Sequence, residues 1–291
     1  MQIDVLIDVK TTLGEGPLWD VGQQRLYFID SFGERIFCCT ADGTEVRAWD
    51  VPGKIGSMAL RADGEGAICA LDSGFHALDF KTGDCHFIAD PEADKPLNRL
   101  NDGKVDRRGR FICGSMDTSE EGPNGSLYRL DPDLSMHKID SGIIVSNGPC
   151  WSPDDNTFYF ADSWSGEIRA YDYDIDSGTP SNRRTFTTLD AKIGAPDGST
   201  VDEEGYLWNA QCFDGCIKRY APDGRLDRVI DMPVCKVTSV NFGGPNLDTL
   251  FVTSMAKPPL PRFPGDGPLR GAVFAISGLG VRGIPEPRFG S

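Results

Sequence analysis

Six short segments rich in aromatic and β-branched residues recur along the chain at nearly even spacing. They begin at residues 26, 67, 111, 158, 206 and 250 and read LYFID, AICALD, FICGSM, FYFAD, YLWNA and LFVTS. Turn-forming residues bound each segment, as expected of β-strands. Neighbouring segments begin 41 to 48 residues apart, a spacing typical of the blades of a β-propeller.

Each of these strands follows a segment of related design. The six read EGPLWDVGQQR, GSMALRADGEG, NDGKVDRRGR, NGPCWSPDDNT, PDGSTVDEEG and TSVNFGGPNLDT. A polar or small residue, a short apolar strand and a turn predict the first half of a hairpin. Downstream, IRAYDYDIDSG and IKRYAPDGRL have the alternation of outer strands. We therefore predict an all-β, six-bladed β-propeller with four antiparallel strands per blade, filling residues 1–291 as a single domain.

An open propeller would expose edge strands, so the ring must close. QIDVLIDVK near the start of the chain and GAVFAISG near its end are both strand-like. The sequence predicts that these two segments share the last blade.

The net charge and the cysteine pattern disfavour several classes of partner and site. The net charge is −15 and no basic run is present, which disfavours nucleic acid and anionic membranes as partners. No stretch approaches about 18 apolar residues and no signal peptide is recognisable, so we expect a cytoplasmic protein. The nine scattered cysteines suit reduced thiols. Cys212 and Cys216 lack the second Cys or His pair expected of a zinc site.

Two motifs resemble known binding loops but lack their context. In DYDIDSG the glycine is one position late for a calcium-binding helix–loop–helix, and the twelfth position is Arg183 instead of glutamate. We expect a hairpin there. Gly278, Gly280 and Gly283 spell GxGxxG, but prolines follow where a dinucleotide-binding helix should begin. Serine-based acyl transfer is also unsupported, because no GxSxG is present.

The opening residues of the inner strands should meet around the channel of a propeller. They are Glu15, Gly56 or Ser57, Asn101, Asn147, Asp197, and Thr238 or Ser239. Buried carboxylate and amide oxygens are costly unless something satisfies them, and one divalent cation would do so. Ca²⁺, Mg²⁺ and Mn²⁺ suit such ligands, and Zn²⁺ and Fe²⁺ suit them if the geometry allows. The alternative is that these residues only cap turns. Neighbouring glycines at 16, 103, 148 and 198 are expected where the wall approaches a ligand.

The motifs LGEGPLWD, RLNDGKVDRRGRF, SNGPCWSPD, PDGSTVDEEGYLW and GLGVRGI resemble successive signatures of the SMP-30/gluconolactonase/regucalcin family of six-bladed propellers. The likeness runs from about residue 13 to 285. It implies one divalent metal held by Glu15, Asn147 and Asp197. It also implies that Arg99 and Asn101 contact the substrate. The family's lid loop corresponds to residues 116–125, where Glu120 and Glu121 are alternatives for a substrate contact.

The resemblance implies a sugar lactonase, a carboxylic ester hydrolase that opens an aldono- or aldarolactone in carbohydrate catabolism. Three protein ligands leave open positions at which a cation can polarise the lactone carbonyl and activate water. Asp197 is the expected general base, and Arg99 offsets developing negative charge. A phosphotriesterase-like hydrolase and a non-enzymatic calcium-binding protein remain alternatives. We expect a small-molecule lactone as the partner, and a monomer or weak homo-oligomer.

Overall fold

The computed structural model describes residues 1–190, 192–258 and 266–291. In these residues 24 strands form six antiparallel sheets of four strands, accompanied by one short 3₁₀ helix. The predicted six-bladed β-propeller is confirmed. No helix in this described part of the chain has the length and apolar character needed to cross a bilayer.

The first three blades follow one another along the chain, each running outward from the central channel. Blade 1 contains β2 (Gly14–Asp20), β3 (Arg25–Asp30), β4 (Arg35–Cys39) and β5 (Arg47–Asp50). Blade 2 contains β6 (Ile55–Leu60), β7 (Gly66–Leu71), β8 (Gly74–Asp79) and β9 (Cys85–Ala89). Blade 3 contains β10 (Asn98–Val105), β11 (Phe111–Asp117), β12 (Gly125–Leu130) and β13 (Met136–Ile143).

The last three blades repeat this order, and the last one takes its outer strand from the start of the chain. Blade 4 contains β14 (Ser146–Trp151), β15 (Thr157–Asp162), the 3₁₀ helix η1 (Ser163–Ser165), β16 (Glu167–Asp174) and β17 (Thr179–Thr188). Blade 5 contains β18 (Ala195–Val201), β19 (Leu207–Cys212), β20 (Cys216–Tyr220) and β21 (Leu226–Asp231). Blade 6 contains β22 (Val237–Gly243), β23 (Thr249–Ser254), β24 (Val273–Ser277) and β1 (Gln2–Ile7).

The ring closes through the first strand of the chain. Strand β1 pairs antiparallel with β24, with Gln2 opposite Ser277 and Val5 opposite Phe274. The prediction that these segments share the last blade is confirmed. The pairing covers the edge of β24 and places the first and last strands of the described chain in one sheet.

Apolar side chains fill the space between adjacent blades. Successive residues of a strand point to opposite faces, so each blade packs against a neighbour on either side. Between blades 1 and 6, for example, buried Trp19 stacks on Phe251 with ring centroids 5.8 Å apart. Similar buried clusters occupy the other five interfaces. The packed blades hold the six inner strands in fixed positions around the channel.

Every inner strand has a β-bulge or a similar irregularity close to its predicted opening residue. Such bulges turn side chains out of the regular pleat. Glu15 and Asn147 lie directly before theirs, whereas Asn101 and Asp197 lie within theirs. The four positions are therefore not strictly equivalent, although each bulge directs its residue toward the same end of the channel.

The glycines beside these residues have a different role from the one expected. Gly148 has a φ of +58°, and a side chain there would collide with Ser199 of the next inner strand. A side chain at Gly198 would collide with Ser239 in the same way. The close approach is therefore between neighbouring inner strands, and the expected approach of the wall to a ligand was wrong for these two glycines.

The C-terminal tail, residues 279–291, crosses the end of the channel at which the inner strands terminate, which we call the closed end. The Gly283 N–H donates to the Leu247 carbonyl at 2.8 Å, and the Phe289 N–H donates to the Leu60 carbonyl at 2.8 Å. The GxGxxG motif thus runs into this tail, and the DYDIDSG segment is a hairpin between β16 and β17. The opposite end of the channel, which we call the mouth, carries the predicted site.

Candidate active site

One cavity lies at the mouth, where the inner strands begin. Its volume is about 550 Å³ with the open solvent at its entrance included, within the usual range of small-molecule sites. Its polar lining residues are Glu15, Arg99, Asn101, Glu120, Asn147, Ser163 and Asp197. Its other lining residues include Leu13, Met116, Val145, Trp164, Ala195, Cys212, Phe213 and Met255. The structure thus brings together every predicted site residue except Glu121.

A tight turn in the lid loop gives the two adjacent candidate glutamates different environments. The Glu120 N–H donates to the Asp117 carbonyl at 3.0 Å, and Glu120 has a φ of +57°. Glu120 is buried and lines the cavity, whereas Glu121 is exposed and does not. The loop proper is also shorter than the predicted lid, because β11 continues to Asp117 and β12 starts at Gly125. Substrate contact thus stays a prediction for Glu120, and the structure does not place Glu121 at the cavity.

A chain of hydrogen bonds fixes the orientation of Asn147. The Ser163 hydroxyl donates to the Pro196 carbonyl at 2.7 Å, so it accepts from Asn147 Nδ2 at 2.8 Å. That contact assigns the nitrogen of the amide, and Asn147 Oδ1 must be the other atom. Oδ1 lies 3.2 Å from Asn101 Nδ2. The amide oxygen, the atom that a hard cation requires, therefore faces Asn101 instead of Ser163.

Asn101 connects Arg99 to Asn147. Arg99 Nη1 donates to Asn101 Oδ1 at 2.7 Å and to the Leu100 carbonyl at 3.1 Å. Asn101 Nδ2 also donates to the Ser146 carbonyl at 2.8 Å. Burial lowers the pKa of Arg99, although nearby carboxylates oppose this shift. The guanidinium remains charged at any physiological pH and is held at the cavity by its neighbour.

The two predicted carboxylate ligands are buried, and Asp197 has an oxygen without a hydrogen-bond partner among the described residues. That oxygen is Oδ1, and the Gly198 backbone and Cys212 lie beside Asp197 and oppose the rise in its pKa. Burial, followed by the charge of Asp102, raises the pKa of Asp197 well above its ordinary value. Burial, followed by the charges of Asp197 and Asp102, raises the pKa of Glu15 likewise. Both groups are in a site where a bound cation would stabilise their charged forms.

Asp102 is a residue that the sequence reasoning missed. Its Oδ2 accepts from the Gly148 N–H and its Oδ1 from the Gly103 N–H, both at 2.8 Å. Asp102 therefore joins the bulge that carries Asn101 to the bulge that follows Asn147. Its place beside Asn101 in the NDG segment was a usable signal, but the hydrogen bond to another blade was not visible in the sequence.

The charges that line the cavity favour a divalent cation. Glu15, Glu120 and Asp197 are three carboxylates, and Arg99 is the only positively charged side chain among the described lining residues. Three negative charges and one positive charge leave a formal charge of −2, which one divalent ion would neutralise. No group of three or more His, Cys, Asp or Glu in the described residues could hold a metal. The predicted ligand set includes an amide, and the carboxylate pair, the oriented Asn147 oxygen and the unpartnered Asp197 oxygen fit a hard cation.

A connected group of apolar residues also lines the cavity, and sequence reasoning missed it too. Trp164 and Phe213 stack with ring centroids 5.9 Å apart and planes 13° apart. Phe213 packs against a buried cluster of Leu13, Cys212 and Met255. Trp164 lies on η1 directly after Ser163, and Phe213 directly follows β19. Both lie just beyond second strands, a position the six-fold repeat did not single out.

The fold and this cavity define a class: six-bladed β-propellers with carboxylate and amide groups at the mouth of the channel. A family model described as the SMP-30/Gluconolactonase/LRE-like region matches residues 13–256. The chain belongs to this family, and the resemblance predicted from the sequence is confirmed.

Relatives cover nearly the whole chain. A regucalcin from Gallus gallus is 39% identical over 297 residues, with 99% of this chain and 98% of the relative covered. A luciferin-regenerating enzyme has a similar structure, with 31% identity, a TM-score of 0.92, and coverage of 99% and 98%. A calcium-binding regucalcin from Agrobacterium tumefaciens is similar at 28% identity, a TM-score of 0.90, and coverage of 98% and 96%. A gluconolactonase from Xanthomonas campestris is similar at 25% identity, a TM-score of 0.75, and coverage of 94% and 88%.

Proposed function

We propose that this protein is a metal-dependent sugar lactonase that opens the ring of an aldono- or aldarolactone in carbohydrate catabolism. The observation that carries the proposal is that one cavity at the mouth contains Glu15, Arg99, Asn147 and Asp197 together. Family membership and the similarity to a gluconolactonase support it. A lactone is already reactive, so a cation and a few fixed groups are sufficient to catalyse its hydrolysis.

Glu15, Asn147 and Asp197 would hold one divalent cation, with Ca²⁺, Zn²⁺, Mg²⁺, Mn²⁺ and Fe²⁺ as candidates. The cation would polarise the lactone carbonyl and lower the pKa of a bound water. Asp197 has an oxygen without a partner among the described residues, and it is proposed to accept the proton of the attacking water. Arg99 is proposed to stabilise the negative charge that develops on the carbonyl oxygen. Asn101 and Glu120 are proposed to bind substrate hydroxyls.

The proposal is tested by assaying pentono-, hexono- and aldarolactones with the purified protein. The protein is first treated with a chelator, and each candidate divalent metal is then added back. A phosphotriester is assayed in parallel under the same conditions. We expect lactone hydrolysis that chelation abolishes and at least one metal restores. Phosphotriester turnover without lactone turnover would assign the site to the other hydrolase class.

Calcium binding without catalysis is a second candidate, supported by the similarity to a protein described as a calcium-binding regucalcin. Calorimetry with Ca²⁺ on the chelated protein separates the two. Tight Ca²⁺ binding with no turnover of any lactone or phosphotriester would support the non-enzymatic role and overturn the lactonase proposal. Turnover that saturates with the same metal occupancy would support the lactonase.

A further inference from the structure

Trp164 is the most prominent cavity residue without a role in the chemistry above. Its indole Nε1 donates to Glu120 Oε2 at 2.6 Å, a short bond to a charged acceptor. Its ring stacks on Phe213. Contacts at the edge and at one face therefore fix the ring, although Trp164 comes from blade 4, Glu120 from blade 3 and Phe213 from blade 5.

Glu120 and Phe213, which contact Trp164, have unusual backbone conformations. Glu120 has a φ of +57° and Phe213 a φ of +73°, values that residues with side chains rarely adopt. The other eight such residues among those described lie outside this cavity. Backbone strain of this kind persists only where the surrounding structure holds it in place. The strain thus lies at the two residues that hold the indole.

The cavity lining has two kinds of chemistry. The oxygen ligands and Arg99 are polar, whereas Trp164, Phe213 and the buried cluster behind Phe213 form an apolar surface. A sugar lactone has two matching parts, because its oxygens project from the ring edge while patches of C–H groups lie on the ring faces. An aromatic wall binds the C–H face well and offers nothing to a hydroxyl on that face.

We propose that Trp164, held by Glu120 and Phe213, is a platform on which the C–H face of the lactone ring packs, so that it determines which ring stereoisomers the enzyme accepts. The inference rests on the proposed lactonase function and adds a specificity element to it. An axial hydroxyl on the packed face would separate the ring from the indole. Epimers of one lactone should therefore differ in binding while sharing the same carbonyl chemistry.

The test compares Trp164→Ala with the wild type on D-glucono-1,5-lactone and its C2 and C4 epimers. Loss of the platform should raise KM for the preferred epimer about tenfold and change kcat less than threefold. The ratio of kcat/KM between epimers should move toward one. Trp164→Phe keeps an aromatic face but loses the hydrogen bond to Glu120, so it should raise KM only about two- to threefold. Phe87→Ala, at an exposed aromatic on blade 2, is the control and should match the wild type.

Failure of this inference is separable from failure of the proposed function. If the wild type hydrolyses the lactones and Trp164→Ala leaves KM and the epimer ratio unchanged, the platform is overturned and the lactonase stands. A wild type that accepts all epimers equally also overturns the platform. If the wild type hydrolyses no lactone, the proposed function fails. Calorimetry with 1,5-anhydro-D-glucitol, a ring without a carbonyl, then tests whether Trp164 contributes to binding of the ring. Weaker binding by Trp164→Ala supports the platform, and equal or absent binding to both proteins overturns it.

Discussion

The two ends of the channel differ in whether their buried carboxylates are paired with cations of the chain. At the closed end the carboxylates are paired with cations of the chain: Asp202 with Arg219 at 2.6 Å, and Asp106 with Arg110 at 2.7 Å. The tail adds Glu286, which lies 3.1 Å from Lys104. At the mouth, carboxylates outnumber cations, and one buried oxygen has no partner among the described residues.

This difference separates structural charge from functional charge within one molecule. A buried ion pair satisfies both partners and leaves nothing for a ligand, whereas an excess of buried negative charge is costly until a cation arrives. Changes at the closed end should therefore affect folding more than chemistry. Changes at the mouth should affect chemistry, and some of them should stabilise the metal-free protein.

The largest expected effect is the loss of catalysis in Asp197→Ala. This change removes a proposed metal ligand and the proposed general base together, and we expect kcat/KM for the preferred lactone to fall by at least about 10³-fold. Thermal unfolding should remain cooperative, because Asp197 is not part of the buried apolar clusters described on either side of blade 5. Asp214→Ala, in the nearby loop but outside the cavity, is the matched control. Retention of full activity in Asp197→Ala would contradict both roles of Asp197.

At the closed end, Arg219→Met should show the opposite pattern. Arg219 is bonded to Asp202, which is fully buried, and the Arg219 guanidinium lies 3.6 Å from the Tyr206 ring centroid. Removing the cation leaves a buried carboxylate uncompensated, which costs about 3–5 kcal/mol in the free energy of unfolding. Denaturant unfolding measures this loss, and activity at low temperature should stay within about twofold of the wild type.

The control for Arg219→Met is Arg184→Met, which removes a pair of similar length on the surface. Arg184 lies 2.7 Å from Asp172, and both side chains are about half exposed. Surface pairs contribute about 0–1 kcal/mol, so this variant should be close to the wild type. Equal destabilisation of the two variants would show that the buried pair at the closed end contributes no more to stability than the surface pair.

Ser163→Ala tests how the mouth orients its ligands. Without the hydroxyl, Asn147 Nδ2 loses its acceptor, and only the 3.2 Å hydrogen bond from Asn101 Nδ2 still orients the amide oxygen. Loss of an outer contact of this kind weakens metal binding by about 10–100-fold. Calorimetric titration with Ca²⁺ measures the change directly. Ser163→Thr keeps a hydroxyl and should restore most of the affinity, and Ser165→Ala on the same short helix should have no effect. Unchanged affinity in Ser163→Ala would show that Asn147 needs no such support.

Most of the fold could be predicted because the same sequence pattern of strands and turns repeats in every blade. Aromatic and β-branched segments recur six times, and the turns between them are rich in Gly, Asp, Asn and Pro. The same repeat placed Glu15, Asn147 and Asp197 at one end of the channel, because each opens an inner strand. Periodicity therefore carried both the architecture and the positions of the proposed ligands.

The residues that the repeat did not predict depend on local geometry. Only the left-handed turn at Glu120 decides that Glu120 and not Glu121 enters the cavity. Trp164 reaches the cavity because β15 continues into a short 3₁₀ helix, and Asp102 acts through a backbone N–H of another blade. These features arise from turns and contacts between blades, which neither residue spacing nor composition encodes.

The smallest expected effect concerns the metal-free mouth. Burial and neighbouring carboxylates raise the pKa of Asp197 in the folded protein, so the folded state binds its proton more tightly than the unfolded state does. The resulting stability is fully present below the unfolded-state pKa of about 3.9 and is lost as the pH rises toward the raised folded value. Asp197→Asn removes this titration and one repulsive charge without changing the shape of the side chain.

In a chelator at pH 7.5, Asp197→Asn should therefore be more stable than the wild type by about 1 kcal/mol, or roughly 2–4 °C in Tm. The advantage should shrink as the pH is lowered toward 4, because the wild-type carboxyl then takes up a proton in the folded state and loses its repulsive charge. Added Ca²⁺ should raise the Tm of the wild type above that of the variant, since only the wild type keeps both carboxylates for the cation. If the variant is less stable than the metal-free wild type at every pH, other groups of the chain already compensate the carboxylates at the mouth, as they do at the closed end.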